Sequence, residues 1–125
     1  MAVKRKIPPN QGLAALKEWL DQSESLPRSQ LATAVRFTLE EFAAGSPGNA
    51  VELRVPPYGA VQCVPGPRHT RGTPPNVVEM APATWLELVT GRLTWTDGIG
   101  HGLIRASGAR ADLSDLLPCP QLSPP

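Results

Sequence analysis

The sequence predicts an α+β fold in which a single layer of mostly antiparallel sheet carries helices packed on one face. Two amphipathic helical patterns come first, short alternating apolar segments follow them, and Pro or Gly marks most of the boundaries. The predicted order is α-α-β-β-β-α-β-α, and its short connections favour antiparallel pairing. A chain of 125 residues suits one domain. We assign residues 11–118 to this domain and expect residues 1–10 to be a disordered arm and residues 119–125 a disordered tail.

The first predicted helix spans residues 11–21, where apolar residues recur at helical spacing. Leu13, Leu16 and Leu20 share one stripe, and Trp19 lies at the edge of that stripe. We expect the stripe to be buried, because an amphipathic helix needs another layer to cover.

The second predicted helix spans residues 27–44 and ends at Gly45, a residue that commonly terminates helices. Glu40 and Glu41 are expected to point outward. The inward stripe consists of Leu31, Val35, Leu39 and Phe42, and it is widened by Ala34 and Thr38.

A β-hairpin is predicted from residues 51–55 and 60–64. Apolar residues alternate with charged ones in the first strand, and the turn at residues 56–59 contains two prolines and a glycine. Residues 65–75 are rich in Pro and Gly and are predicted to form a loop.

The next segment is predicted to form a strand followed directly by a helix. Val78 and Met80 share one face of the strand at residues 76–80. Pro82 suits the first turn of a helix, and Gly91 suits its end. The apolar face of this helix consists of Trp85, Leu88 and Val89, at positions i, i+3 and i+4.

The predicted chain continues in an extended form after this helix. Leu93 and Trp95 alternate, a flexible Gly-containing corner begins at Asp97, and residues 103–107 form the last strand. Residues 111–117 are predicted to form one or two helical turns.

A family resemblance appears in this part of the chain. A strand ends in Glu79-Met80, a helix reads Trp-Leu-x-Leu-Val-Thr-Gly-Arg-Leu from Trp85, and residues 102–108 read Gly-Leu-Ile-Arg-Ala-Ser-Gly. This order resembles the core of sterol carrier protein 2 (SCP2) domains. The segment at residues 51–75 is similar to that of a small bacterial branch, the bacterial sterol carrier orthologs. The resemblance covers roughly residues 51–118, with a weaker helical match upstream.

The resemblance implies an SCP2-like fold with a tunnel between the sheet and the helices. In such domains the tunnel accepts a fatty acyl chain, a sterol or a phospholipid, and an apolar pocket with a few polar groups suits such ligands. The same side chains also fit ordinary core packing. The resemblance implies Trp85, Leu88, Val89 and Leu93 as lining residues, and patterning alone adds Phe37, Val78 and Trp95.

The chain departs from larger SCP2 domains near its C-terminus. Those domains use a C-terminal helix as one tunnel wall, whereas here a short segment and several prolines follow Gly108. The additional N-terminal helix would then fill the space, and the cavity would be reduced or closed.

The run from Arg68 to Arg71 is the candidate for polar contacts with a ligand. Arg68, His69 and Arg71 could hold a carboxylate or phosphate head group through forked hydrogen bonds. Alternatively, the arginines pair with Glu52, Glu79 or loop carbonyls and fix the loop.

Composition and motifs argue against several classes of protein. A net charge of +1 and the lack of a basic stripe interleaved with aromatic residues argue against nucleic acid as a partner. No apolar run approaches the roughly 20 residues of a membrane span. Catalytic motifs and metal-ligand spacings are missing, so we expect no enzymatic activity, no cofactor and no metal. The absence of a signal-peptide pattern and the presence of two scattered cysteines favour a cytoplasmic protein.

The resulting functional hypothesis is non-enzymatic binding or carriage of a lipid-like small molecule. The alternative is an SCP2-like fold with a closed cavity that acts as a structural or protein-interaction module, with a protein partner or a homodimer left open. An enzyme with a loop site around His69 is the remote third hypothesis.

Overall fold

The computed structural model describes residues 6–66 and 76–122. The helices in these ranges are α1 (Pro9–Gln22), α2 (Arg28–Gly45), α3 (Pro82–Thr90) and α4 (Trp95–Gly100). The strands are β1 (Val51–Val55), β2 (Gly59–Cys63), β3 (Val77–Met80) and β4 (Ile104–Ser107). Short 3₁₀ turns occupy Ser23–Ser25 and Ser114–Leu116. The predicted α+β class is confirmed, and the observed elements follow the predicted order except for the additional helix α4.

The strands of the described residues form one mixed sheet in the order β2-β1-β3-β4. The predicted hairpin is confirmed, because β1 pairs antiparallel with β2 and Leu53 lies opposite Val61. On its other side β1 pairs parallel with β3, where Leu53 lies opposite Val78. The hairpin returns the chain to the end of the sheet at which β1 began, so a strand that starts there beside β1 runs parallel to it. β4 then pairs antiparallel with β3.

The core lies between one face of the sheet and the helices. In β1 the apolar residues are buried, while Glu52 and Arg54 lie on the other face and are half-buried. Alternation therefore predicted the buried face of β1 correctly, and the same holds for Val78 and Met80 in β3. The largest side chains with almost no exposure are Trp85, Phe37, Leu39, Leu53, Leu86, Leu88 and Leu113.

The buried face of α1 differs from the predicted one. Leu13 is 48% exposed and Leu20 is half-buried, so the prediction of a buried leucine stripe is wrong at these two positions. The face that packs inward consists instead of Gly12, Ala15, Leu16 and Trp19.

The small residues of α1 explain this rotation of the helix. Gly12 lies directly against the ring of Phe37 in α2, and a Cβ atom at position 12 would overlap that ring. The helix can therefore approach α2 closely only with its small residues inward. The guanidinium of Arg92 lies 5.4 Å from the ring centroid of Trp19, and its Nη2 donates to the Leu20 carbonyl at 2.8 Å, so the end of α1 is also held.

Helix α4 replaces the predicted extended segment and flexible corner. The Thr94 hydroxyl accepts a hydrogen bond from the Asp97 N–H at 3.1 Å and caps the helix. Gly98 packs against the Ile104 side chain, where a Cβ atom would come within 2.5 Å of Cδ1. The left-handed Gly102, with φ +71°, ends the helix. The prediction of an extended backbone at Trp95 and a flexible corner after it is therefore wrong. A capping threonine and a close contact at Gly98 outweigh the low helix propensity of glycine.

The C-terminal segment packs on the domain as far as residue 122. Cys119 and Leu122 are buried, and the Cys119 N–H donates to the Val89 carbonyl at 3.1 Å. The expectation of a disordered tail is therefore wrong for this part of residues 119–125, because two apolar side chains and a backbone hydrogen bond hold it.

The contact between Gly12 and Phe37 leads to a stability prediction. We expect Gly12→Ala to lower the free energy of unfolding by about 1–3 kcal/mol, because the methyl group forces the Phe37 ring or α1 to shift. Urea denaturation measures the change. Gly45→Ala is the control, since no atom lies within 4 Å of its added Cβ, and we expect it to be neutral or stabilising by up to about 1 kcal/mol. Equal effects of the two substitutions would contradict the close helix packing.

Candidate ligand-binding site

The predicted lining residues of α3 are brought together in the centre of the core. Pro82 begins α3 and Gly91 ends it with φ +82°, as predicted. Trp85 and Val89 are 0% exposed and Leu88 is 1% exposed. These three side chains face the buried layer between the helices and the sheet. They form part of a packed core in the structure.

Trp85 is fixed by contacts with α2. Its indole Nε1 donates a hydrogen bond to the Thr38 hydroxyl at 2.8 Å, and this hydroxyl donates in turn to the Ala34 carbonyl at 2.8 Å. The Phe42 ring meets Trp85 edge to face, with ring centroids 5.4 Å apart. The indole N–H is therefore satisfied within the apolar layer. Thr38 was predicted only to widen the inward stripe of α2. Its role as an acceptor follows from the need of a buried indole for a partner.

Val78 and Phe37 belong to the same core cluster as Trp85. Val78 is 0% exposed on β3, and Phe37 is 2% exposed on α2 beneath Gly12 of α1. The N-terminal helix α1 thus covers one of the predicted lining residues. Five of the seven predicted apolar residues therefore lie in one core.

Leu93 and Trp95 pack against the outside of this core. Both are half-buried and line a pocket of about 210 Å³ beside Leu117 and Pro118, at the surface next to the C-terminal segment. This pocket is small and borders the start of α4. These two residues therefore border the core that contains Trp85 without being fully buried in it.

The predicted head-group residues, Arg68, His69 and Arg71, lie outside the described residues. His101 is exposed in the turn after α4.

A groove between α2 and the edge strand β2 was not predicted from the sequence. Its volume is about 540 Å³. It is lined by Lys6, Ile7, Arg36, Leu39, Glu40 and residues 58–61. Ile7 comes from the segment expected to be a disordered arm. That expectation is wrong for residues 6–10, because α1 begins at Pro9 and the N–H groups of Lys6 and Ile7 bond to Glu40.

Glu40 fixes one wall of this groove. Its carboxylate accepts hydrogen bonds from the Lys6 N–H at 3.1 Å and from the Ile7 N–H at 3.2 Å. The prediction that Glu40 points outward to solvent is wrong, because the carboxylate is buried by the N-terminal segment that it binds. One helical turn earlier on the same side of α2, Arg36 Nε donates to the Tyr58 carbonyl at 3.0 Å and connects α2 to the hairpin turn.

The thiols of the two cysteines have low reactivity. Burial raises the pKa of the Cys63 thiol to about 12. Burial, and to a smaller extent the charge of Glu41, raises the pKa of the Cys119 thiol to about 11. Both thiols therefore remain protonated near neutral pH and are poor nucleophiles.

The outer face of the sheet carries charged groups. A hydrogen bond from Arg54 to Glu52 at 3.0 Å, with the charge of Glu52, raises the pKa of Arg54.

Within residues 6–66 and 76–122, His, Cys, Asp and Glu form no cluster of three suited to a metal ion. In the same ranges no helix has both the length and the apolar character of a membrane span.

The fold and the buried apolar layer agree with a family assignment. The sequence profile of the family described as "Bacterial SCP ortholog" matches residues 27–119, and the chain belongs to this family. The match extends from the residue before α2 to Cys119, so α1 precedes it. The comparison with curated proteins gives no significant match. At a coarse level this SCP2-like family is one of non-enzymatic carriers, and membership suggests a lipid-like ligand.

The Thr38–Trp85 hydrogen bond can be tested by an isosteric substitution. We expect Thr38→Val to lower the free energy of unfolding by about 1–3 kcal/mol, because the buried indole N–H loses its acceptor. Thr33→Val on the same helix is the control, since the Thr33 hydroxyl only donates to the Ser29 carbonyl in an exposed position. We expect the control to change stability by no more than about 0.5 kcal/mol. Equal losses in urea denaturation would rule out a special role of Thr38.

Proposed function

We propose that this protein binds and carries an apolar or amphipathic ligand between the sheet and the helices, without catalysing a reaction. The ligand is an acyl chain, a sterol or a related lipid. Membership of the bacterial SCP ortholog family is the observation that carries this proposal. We propose residues 11–118, with the attached Cys119 and Leu122, as the binding unit and the cytoplasm as its compartment.

The chemistry of the buried layer supports this function. Trp85, Leu88, Val89, Val78 and Phe37 present apolar surface, and the indole N–H of Trp85 is paired with the Thr38 hydroxyl. An apolar ligand would replace contacts between these side chains by similar contacts with itself, so no buried polar group would lose a partner. Binding requires the layer to expand, because its side chains are in contact with each other in the structure. Leu93 and Trp95 remain proposed lining residues, and Arg68, His69 and Arg71 remain proposed head-group contacts.

A second function is favoured by the tight packing of the same layer. The five residues named above are at most 2% exposed. A core this closed suits a structural or protein-interaction module that keeps the carrier fold without a ligand. The exposed side chains of Ile99 and Leu103, 44% and 42% exposed, would then be candidates for contacts with a protein partner or a second copy.

Native mass spectrometry of the protein purified from its own host separates the two functions. We expect a mass above that of the free chain and a lipid in the organic extract, because a carrier retains part of its ligand. A ligand-free mass, together with unchanged tryptophan fluorescence when acyl chains or sterols are added, would reject the carrier and favour the interaction module.

A matched pair of variants locates the ligand in that experiment. We expect Leu88→Phe to reduce the co-purifying lipid, because it fills the buried layer, whereas Leu103→Phe adds the same bulk at the surface and retains the lipid. Circular dichroism confirms that both variants are folded. Fluorescence titration of Trp85→Phe and Trp95→Phe gives an independent location: the ligand response should fall more in Trp85→Phe, because Trp85 lies in the centre of the core and Trp95 at its edge. Retention of lipid by a folded Leu88→Phe would place the ligand elsewhere.

A further inference from the structure

The groove between α2 and β2 has an apolar floor that leads toward the core. Leu39 and Val61 lie in its wall, and Leu39 is also part of the core, at 2% exposure. Phe42 follows Leu39 at i+3 on the same side of α2, and its ring contacts Trp85. The groove therefore borders a continuous series of apolar side chains that ends in the buried layer.

The volume of the groove depends on the lack of a side chain at Gly59. A Cβ atom at this position would lie 3.4 Å from Leu39 Cδ1 and 4.0 Å from Arg36 Cγ. A larger side chain at residue 59 would therefore extend between these two residues and fill the groove. The position does not require the left-handed backbone conformation that favours glycine, so substitution changes the space without straining the strand.

The charge of the groove is positive by one unit. Lys6 and Arg36 contribute two cations, and Glu40 contributes one carboxylate. The Glu40 oxygens are buried and directed at the N–H groups of Lys6 and Ile7, whereas Arg36 is exposed and uses Nε on the Tyr58 carbonyl. The remaining N–H groups of a guanidinium suit a carboxylate.

We propose that this groove binds the carboxylate of a single-chain, fatty-acid-type amphiphile. Arg36 is the main cationic contact, and the acyl chain passes Leu39 toward the buried layer. A net charge of +1 in the lining matches one carboxylate, and the apolar floor matches one chain. This inference rests on the proposed carrier function and names its ligand class and the place where the ligand's head group lies.

Two ligands with the same chain test the proposal. Oleate and oleyl alcohol share the chain and differ in the head group, a carboxylate in one and a neutral hydroxymethyl group in the other. Intrinsic tryptophan fluorescence gives their dissociation constants for the full protein. We expect the wild type to bind oleate more tightly. Arg36→Gln should weaken oleate binding about threefold to tenfold, since an exposed charge pair is screened by solvent, and should leave oleyl alcohol unchanged. Arg28→Gln, two turns earlier on an exposed position of α2, is the control and should change neither constant.

A second pair of variants tests the space of the groove. Gly59→Ile should weaken both ligands, because it fills the groove, whereas Gln62→Ile places the same side chain on an exposed position of β2 and should have no effect. Circular dichroism checks that each variant is folded. Normal binding of both ligands by Arg36→Gln and Gly59→Ile would overturn the groove as the site and leave the carrier function intact.

Two other outcomes also overturn the proposal. An Arg68→Gln, Arg71→Gln double variant could lose the preference for oleate while Arg36→Gln keeps it. This result would assign the contact with the head group to Arg68 and Arg71. Absence of binding by the wild type for both ligands, with no co-purifying lipid, would reject the carrier function itself.

Discussion

The hydrogen bond between Trp85 and Thr38 is the constraint on which the arrangement of the domain depends. A buried indole is favourable only when its N–H finds an acceptor, and in this fold the acceptor lies on another helix. The bond therefore fixes the distance and rotation of α3 relative to α2, and the edge-to-face contact with Phe42 adds to it. Both helices contribute side chains to the core that also contains Leu53 and Val78 of the sheet, so this pair affects how much space remains in that core.

The parts of the fold with one dominant physical cause could be predicted from the sequence. Alternation in β1 and the Pro82 and Gly91 boundaries of α3 gave correct elements and a correct buried face, because burial of one side of a strand or helix decides them. The buried face of α1 was not predicted, because the close approach at Gly12 depends on the ring of Phe37 in another helix. A hydrophobic stripe does not contain that information.

The sequence also predicted only part of the candidate site. Helical spacing was enough to place Trp85, Leu88 and Val89 in the core, but it could not separate Trp95, whose position depends on the Thr94 cap and the helix it starts. The groove was beyond prediction, because Ile7, Leu39 and Val61 come from three distant parts of the chain. Its polar wall depends on a carboxylate that accepts backbone N–H groups, and such a contact has no pattern in the sequence.

Paramagnetic broadening by spin-labelled stearate tests the proposed ligand position most directly. With the label next to the carboxylate, we expect the amide signals of Arg36 and Val61 to broaden; with the label near the chain end, we expect the indole N–H signal of Trp85 to broaden. This result requires a head group in the groove and a chain in the buried layer. Broadening of the same surface signals by both labels, with Trp85 unaffected, would contradict a ligand that enters the core.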